Sequence, residues 1–413
     1  MRQLTGSNAV AHVDALANRV GRLDIVEPAV RGIVAAVRQE GDAAVRRLAE
    51  QWDGLKKVEA LRVSDRELKA ALKSRPPELI KAMREAVANI RRFAEWQMPK
   101  GWMRGSGGVR AGQIIRPLQS VGCYVPGGRY PLPSTLLMTV IPAQVAGVER
   151  IVVVSPQPRP ETLAAAALLG VKEFYRIGGA QGVAALAYGT KSIAAVNKIV
   201  GPGNLYVTAA KKLVAFDCAI DFLAGPTEAL VVQHSGRADF IASDLVAQAE
   251  HDPEAVCVFI TSSAALAKKV EGEVALRAEN NPIARASLQE NGVILVAASR
   301  SQAMQWANQI ASEHLTVEER DLPLVRNAGS VFASDYSAQA AGDYMVGPNH
   351  VLPTAGTARA RGGLTVLDFV KLITVQQVTR QGIRRVGPAA IRLAEAEGLA
   401  AHAESMRVRV SHA

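Results

Sequence analysis

Between residues 28 and 98 apolar positions recur every three or four residues, with Val30, Ile33, Val34 and Val37 on one face and Gly41 and Gly54 as breaks. This spacing predicts a run of amphipathic helices. From about residue 105 the period changes. Short strand-like runs, "RIVVVSP", "EFYRIGG" and "AVNKIVGPGN", alternate with helical stretches such as "ETLAAAALLGV" and "AQGVAALAYG". A second alternating set follows, with "EALVVQHS", a helix over 238–251, "AVCVFITSS", a helix near 262–277, and "GVILVAAS". Strand and helix in alternation predict parallel sheets covered by helices. The fold class expected is therefore α/β, with two Rossmann-like but incomplete domains. The expected boundaries are an N-terminal helical segment over 1–25, a first α/β domain over 26–118 and 231–368, an inserted second α/β domain over 119–230, and a helical tail over 369–413.

Composition narrows the class. A chain of 413 residues with 49% apolar and 21% charged positions is globular and can bury more than one core. No apolar run approaches the roughly 18 residues that a membrane helix needs. The opening "MRQLTGSNAV" has no hydrophobic signal core, so a cytoplasmic protein without a membrane partner is expected. The three cysteines, Cys123, Cys218 and Cys257, are far apart and lack a CxxC spacing. That disfavours a disulfide framework and a thiolate zinc site, leaving His, carboxylates and amides for any metal. A formal charge of +10 invites a nucleic-acid partner, yet the basic residues are spread along helices and aromatics make up only 5%. No nucleic acid is expected.

No GxGxxG follows any predicted strand, so a standard pyrophosphate turn is missing. Two glycine turns stand out instead, "YVPGG" at 124–128 and "GPGN" at 201–204. In the second, a strand ends in a turn that opens a helix, a geometry that points N–H groups at an anion, although a plain tight turn fits equally well.

Four of the seven histidines lie beside acids or amides. In "VAQAEHDPE" Gln248 and His251 are three apart and are expected to share a helix face that Pro253 ends, as a helix cap or as metal ligands. "SEHL" pairs Glu313 with His314, "GDYMVGPNH" holds Asp343 and His350, and "EGLAAH" holds Glu397 and His402. Together these supply nitrogen and oxygen donors suited to zinc. Glu313 and His314 are adjacent, so both can face one substrate only in a loop or at the end of an element, where they would form a proton-accepting pair. Residue chemistry thus reaches a metal-assisted α/β enzyme, with a metal hydrolase and a structural zinc protein as alternatives.

Taken in order, "VRGIVAAVRQEGDAAVRRLAEQWDG", "GCYVPGGRYPLPSTLLMTVIPAQVAGV", "KIVGPGNLYVTAAKK", "SDLVAQAEHDP", "SEHLTV", "GDYMVGPNHVLPT" and "EGLAAHAESMRVR" make the chain resemble the histidinol dehydrogenases over nearly its whole length. The resemblance implies a homodimer that uses one zinc ion per subunit and NAD to oxidise L-histidinol twice, through the aldehyde, to L-histidine. It implies Gln248, His251, Asp343 and His402 as zinc ligands. His314 would be the general base and Glu313 the group that activates water. Thr227, Gln248, His251, His314, Asp343, His350, Glu397 and His402 would contact substrate, and Tyr124, Gln181 and Asn204 would contact NAD. The C-terminal segment, with Glu397 and His402, would complete the site of the neighbouring subunit. Thr227 stands where the family often has serine, and Arg129 and Tyr130 stand where many members carry smaller residues. Relatives that oxidise another polar alcohol, such as a sulfonated diol, are the alternative. Cys123 and Cys257 lack activating neighbours and are read as core residues, not as thiol nucleophiles.

Overall fold

Two parallel sheets organise the chain, and they share one strand order. The computed structural model describes residues 1–19, 23–127 and 130–413, so Arg129 lies outside the described residues. The five-stranded sheet takes Ser120–Tyr124, Arg150–Val154, Glu173–Tyr175, Lys198–Val200 and Ala219–Ile220 in the spatial order third, second, first, fourth, fifth. The larger sheet repeats this order with Glu228–Val232, Val256–Thr261, Val293–Val296, His314–Val317 and Ser330–Ala333. Every pairing within the two sheets is parallel. The first strand of each, "SVGCY" and "EALVV", is buried from end to end, as a strand with helices on both faces must be. Where the order reverses, between first and fourth strands, the loops of the five-stranded sheet diverge and open a crevice beyond the strand C-termini.

The structure redraws the expected boundaries. Residues 1–25 are not wholly helical: Arg2–Thr5 adds a sixth, edge strand beside Val293–Val296, pairing backbone groups the sheet edge would otherwise expose. The helices Leu23–Glu40 and Asp42–Trp52, which fall largely in the range expected for the first α/β domain, share a core with the strands of the inserted one. Val30, Val34, Val37, Val45 and Leu48 pack with Tyr124, Val154, Ile177 and Leu186. Ile80, Met83 and Ile90 of the helix Pro77–Trp96 join Leu136, Leu137 and Val140. Periodicity identified the buried faces, but a stripe of valines does not specify which sheet it covers. The expected boundary at 230 falls inside the strand Glu228–Val232, which belongs to the six-stranded sheet.

The start of the tail also differs from expectation. Val370–Val378 is a strand, antiparallel to Val109–Pro117, which in turn pairs with Trp102–Ser106. Its "KLITVQQV" is rich in β-branched residues, and its side chains find a partner strand more than 250 residues earlier in the chain. The helices Arg380–Ala396 and Ala400–Ser411 follow and pack against each other.

Candidate active site

At the crevice of the five-stranded sheet lies a cavity of 530 Å³ lined by Asp53, Tyr124, Gly127, Gly179, Gln181 and Asn204 among others. Tyr124 ends the first strand, and its hydroxyl accepts the Gly179 N–H at 3.0 Å. Gln181 Nε2 donates to Asp53 Oδ2 at 2.9 Å, and the same oxygen accepts Gly178 N–H at 2.9 Å. Burial raises the Asp53 pKa and these two donors only partly offset it. Asn204 caps the helix Leu205–Val214, its side chain accepting Val207 N–H at 3.1 Å. The turn before it requires glycine: Gly201 has φ +116°, and a Cβ there would fall 2.1 Å from the Tyr124 carbonyl oxygen. A buried Lys211–Asp221 pair holds this turn, with Gly201 N–H donating to Asp221 Oδ2 at 2.8 Å and Lys211 Nζ donating to Gly201 O at 3.1 Å. The three residues expected to meet NAD therefore line one cavity. Asp53, from "QWDG", was missed because its sequence signal is only that of a turn.

A second cavity, of 220 Å³, is lined by His314, Phe332, Asp343, Asn349 and His350 among others. His314 opens the strand His314–Val317 and Glu313 precedes it, so the pair does sit at an element's end; both are buried. The Glu313 carboxylate accepts Glu228 N–H at 2.9 Å. His314 Nδ1 lies 3.3 Å from the Glu228 carbonyl oxygen, which can only accept, so Nδ1 carries a proton there. Nε2 is left 3.6 Å from Asp343 Oδ1, buried and without a hydrogen-bond partner among the described residues. The ring stacks on Phe332 with centroids 5.9 Å apart. Burial would lower the His314 pKa, but the Glu313 and Asp343 carboxylates outweigh it and raise it to about 10.

Gln248 occupies the last turn of the helix Ala238–Ala249, 2% exposed, with Nε2 3.4 Å from Asp343 Oδ2. Burial pushes the Asp343 carboxyl up, and His314, His350 and His251 more than reverse this to hold it low. Asp244, one helical turn before Gln248, also feels Asp343, and its pKa is raised to about 6, chiefly by burial. His350 Nδ1 donates to the Asp343 carbonyl at 2.8 Å, and its Nε2 is 3.4 Å from Thr135 Oγ1. Thr135 lies in the first turn of the helix Pro133–Ala146, which follows the first strand of the five-stranded sheet, so His350 connects the second cavity to that sheet.

The remaining expected residues are placed less closely: His251 acts on Asp343 and His350 only through its charge, and Thr227, Glu397 and His402 form no hydrogen bond or ion pair with that group among the described residues. The helix ends at Ala249, and His251 lies exposed just beyond it, its N–H donating to Gln248 O at 3.3 Å. Asp252 precedes Pro253, and a residue before proline resists the helical conformation. Thr227 is half-buried just before Glu228–Val232. Glu397 and His402 are exposed on the C-terminal helix pair. No group of three or more His, Cys, Asp or Glu able to hold a metal occurs among the described residues. The sequence reading also missed Glu228, Asp244 and Phe332. All three cysteines are free and buried, and burial pushes the Cys123 and Cys257 thiols up to about 12.

The family model for histidinol dehydrogenase matches residues 17–410. The chain belongs to the histidinol dehydrogenase family. It is 48% identical over 401 residues to a histidinol dehydrogenase of Methanothermobacter thermautotrophicus, covering 94% of each chain. To one of Bacillus cereus it is 45% identical over 400 residues, covering 94% of this chain and 93% of the relative. The crystal structure of histidinol dehydrogenase from Elizabethkingia anophelis superposes with a TM-score of 0.94 at 33% identity, over 100% of this chain and 98% of that one. As a member of the histidinol dehydrogenase family the chain is an oxidoreductase, which removes the hydrolase and structural-protein alternatives. No helix among the described residues is long and apolar enough to cross a membrane.

Proposed function

We propose that the chain oxidises L-histidinol to L-histidine in two NAD-dependent steps at a zinc site, keeping L-histidinaldehyde bound between them. The observation that carries this reading is His314 Nε2, buried, unpartnered and facing a cavity walled by Asp343 and His350. Asp343 and the buried amide of Gln248 are a hard-donor pair, and the carboxylates that raise the His314 pKa create a potential that favours a cation. Within one chain the described residues bring together too few donors to close a zinc site, so the fit depends on a donor from a second copy. Gln248, His251 and Asp343, with His402 from a second copy of the chain, would hold the ion. Zinc bound there would offer coordination positions to the substrate's amino and imidazole nitrogens and offset the charge of Asp343. NAD, in the cavity of Tyr124, Gln181 and Asn204, would accept one hydride in each oxidation.

The protein's own groups move the protons. The carboxylate field that holds a proton on His314 would be largely cancelled by a cation beside Asp343. Nε2, left as the basic position while Nδ1 donates to the Glu228 carbonyl, would then take the hydroxyl proton as the hydride leaves carbon. Glu313, buried beside it, orients and deprotonates the water that adds to the aldehyde. The hydrate then loses its second hydride and becomes the carboxylate. Enclosure of the cavity limits escape and side reactions of the aldehyde. Asp343 in the cavity wall, with Asp244 and Glu313 close enough to act on Asp343 and His314, suits an amine and imidazole and opposes an anionic sulfonated alcohol.

The reading includes a cytoplasmic homodimer with shared sites. Leu372, Ile373, Leu393, Leu399 and Val408 expose apolar surface along the antiparallel strand and the C-terminal helices, which a second copy would cover. Purified protein with L-histidinol should form two NADH per histidine, lose activity on chelation and regain it with zinc. One NADH per turnover, or full activity after metal removal, would sink the proposal.

A further inference from the structure

Glu228 is the most connected residue behind the site, and it belongs to none of the roles assigned above. It starts the strand next to His314–Val317, in register with His314 opposite Ala229. Its N–H donates to the Glu313 carboxylate at 2.9 Å and its carbonyl accepts His314 Nδ1 at 3.3 Å. Both reacting side chains thus rest on the main chain of one residue. The side chain returns the contact: Oε2 accepts Glu313 N–H at 3.3 Å and Oε1 accepts Ala355 N–H at 2.8 Å.

A carboxylate buried this deeply needs a counter-charge, and Arg19 supplies it from the N-terminal segment. Arg19 Nε donates to Glu228 Oε1 at 2.6 Å and Nη2 to Oε2 at 2.5 Å, a two-point fork. Its Nη1 donates to the Ile310 carbonyl at 2.9 Å and to that of Leu16. Ile310 ends the helix Arg300–Ile310 that leads into Glu313, so one guanidinium grips both the strand below the pair and the segment before it.

We propose that Arg19 and Glu228 are positioning residues that fix the Glu313–His314 pair from behind, without touching substrate. This rests on the reading of Glu313 and His314 as the reacting pair. Lysine would preserve the charge of Arg19 but not the fork. Misplacing a reacting group by about 1 Å can cost on the order of 100-fold in rate. With zinc-loaded enzyme, Arg19→Lys should lower kcat for histidinol and for histidinaldehyde by about tenfold, with KM within about threefold of wild type. Arg19→Ala should lose on the order of 100-fold, and added guanidinium should restore at least about tenfold of that. Arg300→Lys, which disturbs an ion-paired arginine remote from the pair, is the control for stability: it should lower Tm and leave kcat unchanged. Unchanged kcat in folded Arg19→Lys and Arg19→Ala, or an equal loss in Arg300→Lys at equal Tm, would overturn the proposal. A readout independent of turnover separates it from the functional reading. The ¹⁵N resonances of the His314 ring, assigned with His314→Asn, should move in Arg19→Lys whether or not the wild type oxidises histidinol. Resonances identical to wild type would overturn the positioning role by themselves.

Discussion

In the five-stranded sheet the loops after Tyr124 and Val200 part at the crevice and leave a cavity of 530 Å³, whereas in the six-stranded sheet the matching loops after Val232 and Val317 are tied together by Glu318. Glu318 Oε1 accepts His234 N–H at 2.8 Å and Ser235 N–H at 3.2 Å, the backbone donors that an anionic ligand would otherwise meet. Arg300 donates to Oε2 at 2.6 Å and Arg320 at 2.8 Å. Two sheets of one topology therefore differ because one crevice is walled by glycine turns and the other is filled by a carboxylate. The six-stranded sheet carries the proposed reacting pair at the opposite ends of its strands, where Glu228 and His314 begin theirs and Glu313 precedes His314. Strand order creates a place for a ligand; the side chains at the strand ends decide whether one is admitted.

The sharpest way to break this division is to disable one sheet's site and ask whether the other still works. His314→Asn should lower histidinol oxidation by about 10²–10⁴-fold, the usual range for removing a general base. NAD binding, followed by fluorescence titration, should be unaltered; a large loss of NAD affinity would show that the two sites are not separable. Glu313→Gln should fall most in the aldehyde step, measured with histidinaldehyde as substrate, and equal losses in both steps would remove its separate role.

Smaller effects follow at the cofactor crevice. Gln181→Ala leaves the buried Asp53 carboxylate without one of its two donors and should raise the KM for NAD about tenfold, as expected for losing roughly 1.4 kcal/mol of binding. The KM for histidinol should stay near wild type. Glu318→Gln, at the other crevice, should leave both KM values unchanged. It should cost about 1–3 kcal/mol of stability by denaturant unfolding, because it weakens charge-assisted hydrogen bonds. Improved phosphate or nucleotide binding by this variant, with no stability loss, would contradict the description of Glu318 as a structural tie.

The pH dependence of that tie has a definite sign. Burial alone would raise the Glu318 carboxyl, but the His234 N–H and the Arg300 and Arg320 guanidiniums outweigh it and lower the pKa from 4.5 to about 2. A pKa lower in the folded than in the unfolded chain means that the stabilisation is fully present above 4.5 and is lost as pH falls towards 2. The stability gap between wild type and Glu318→Gln should accordingly shrink as pH falls through this window. A gap that stays constant down to the lower end would rule out ionisation of Glu318 as its source.

Much of this arrangement was legible in advance, for reasons that differ by residue. The alternation of "RIVVVSP" and "ETLAAAALLGV" announces parallel sheet because buried strands must be apolar on both faces. Tyr124 and Asn204 stand out because they flank glycine turns, and a strand followed by glycine and a helix has few geometries. The helix expected over 238–251 ends at Ala249, and His251 follows through a turn, its N–H donating to Gln248 O at 3.3 Å, because periodicity does not register the proline two residues after His251. Glu228, Asp244 and Arg19 were invisible as site residues because a single acid or base in an apolar setting has the same local signal whether it is a surface charge or a buried tie.

By itself the sequence determined most of the elements, the α/β class, the family and most of the chemistry available, since periodicity, turn residues and donor types are local properties. The strands Arg2–Thr5 and Val370–Val378 were not among those elements. Only the tertiary structure decided which helices cover which sheet, that the crevice of one sheet stays open while Glu318 occupies the other, and that Arg19 reaches Glu228 across 209 positions of the chain. These depend on contacts between segments distant in sequence. The free energy of such a contact is set by burial and by the partner it finds, and neither is written in the residue's own neighbourhood.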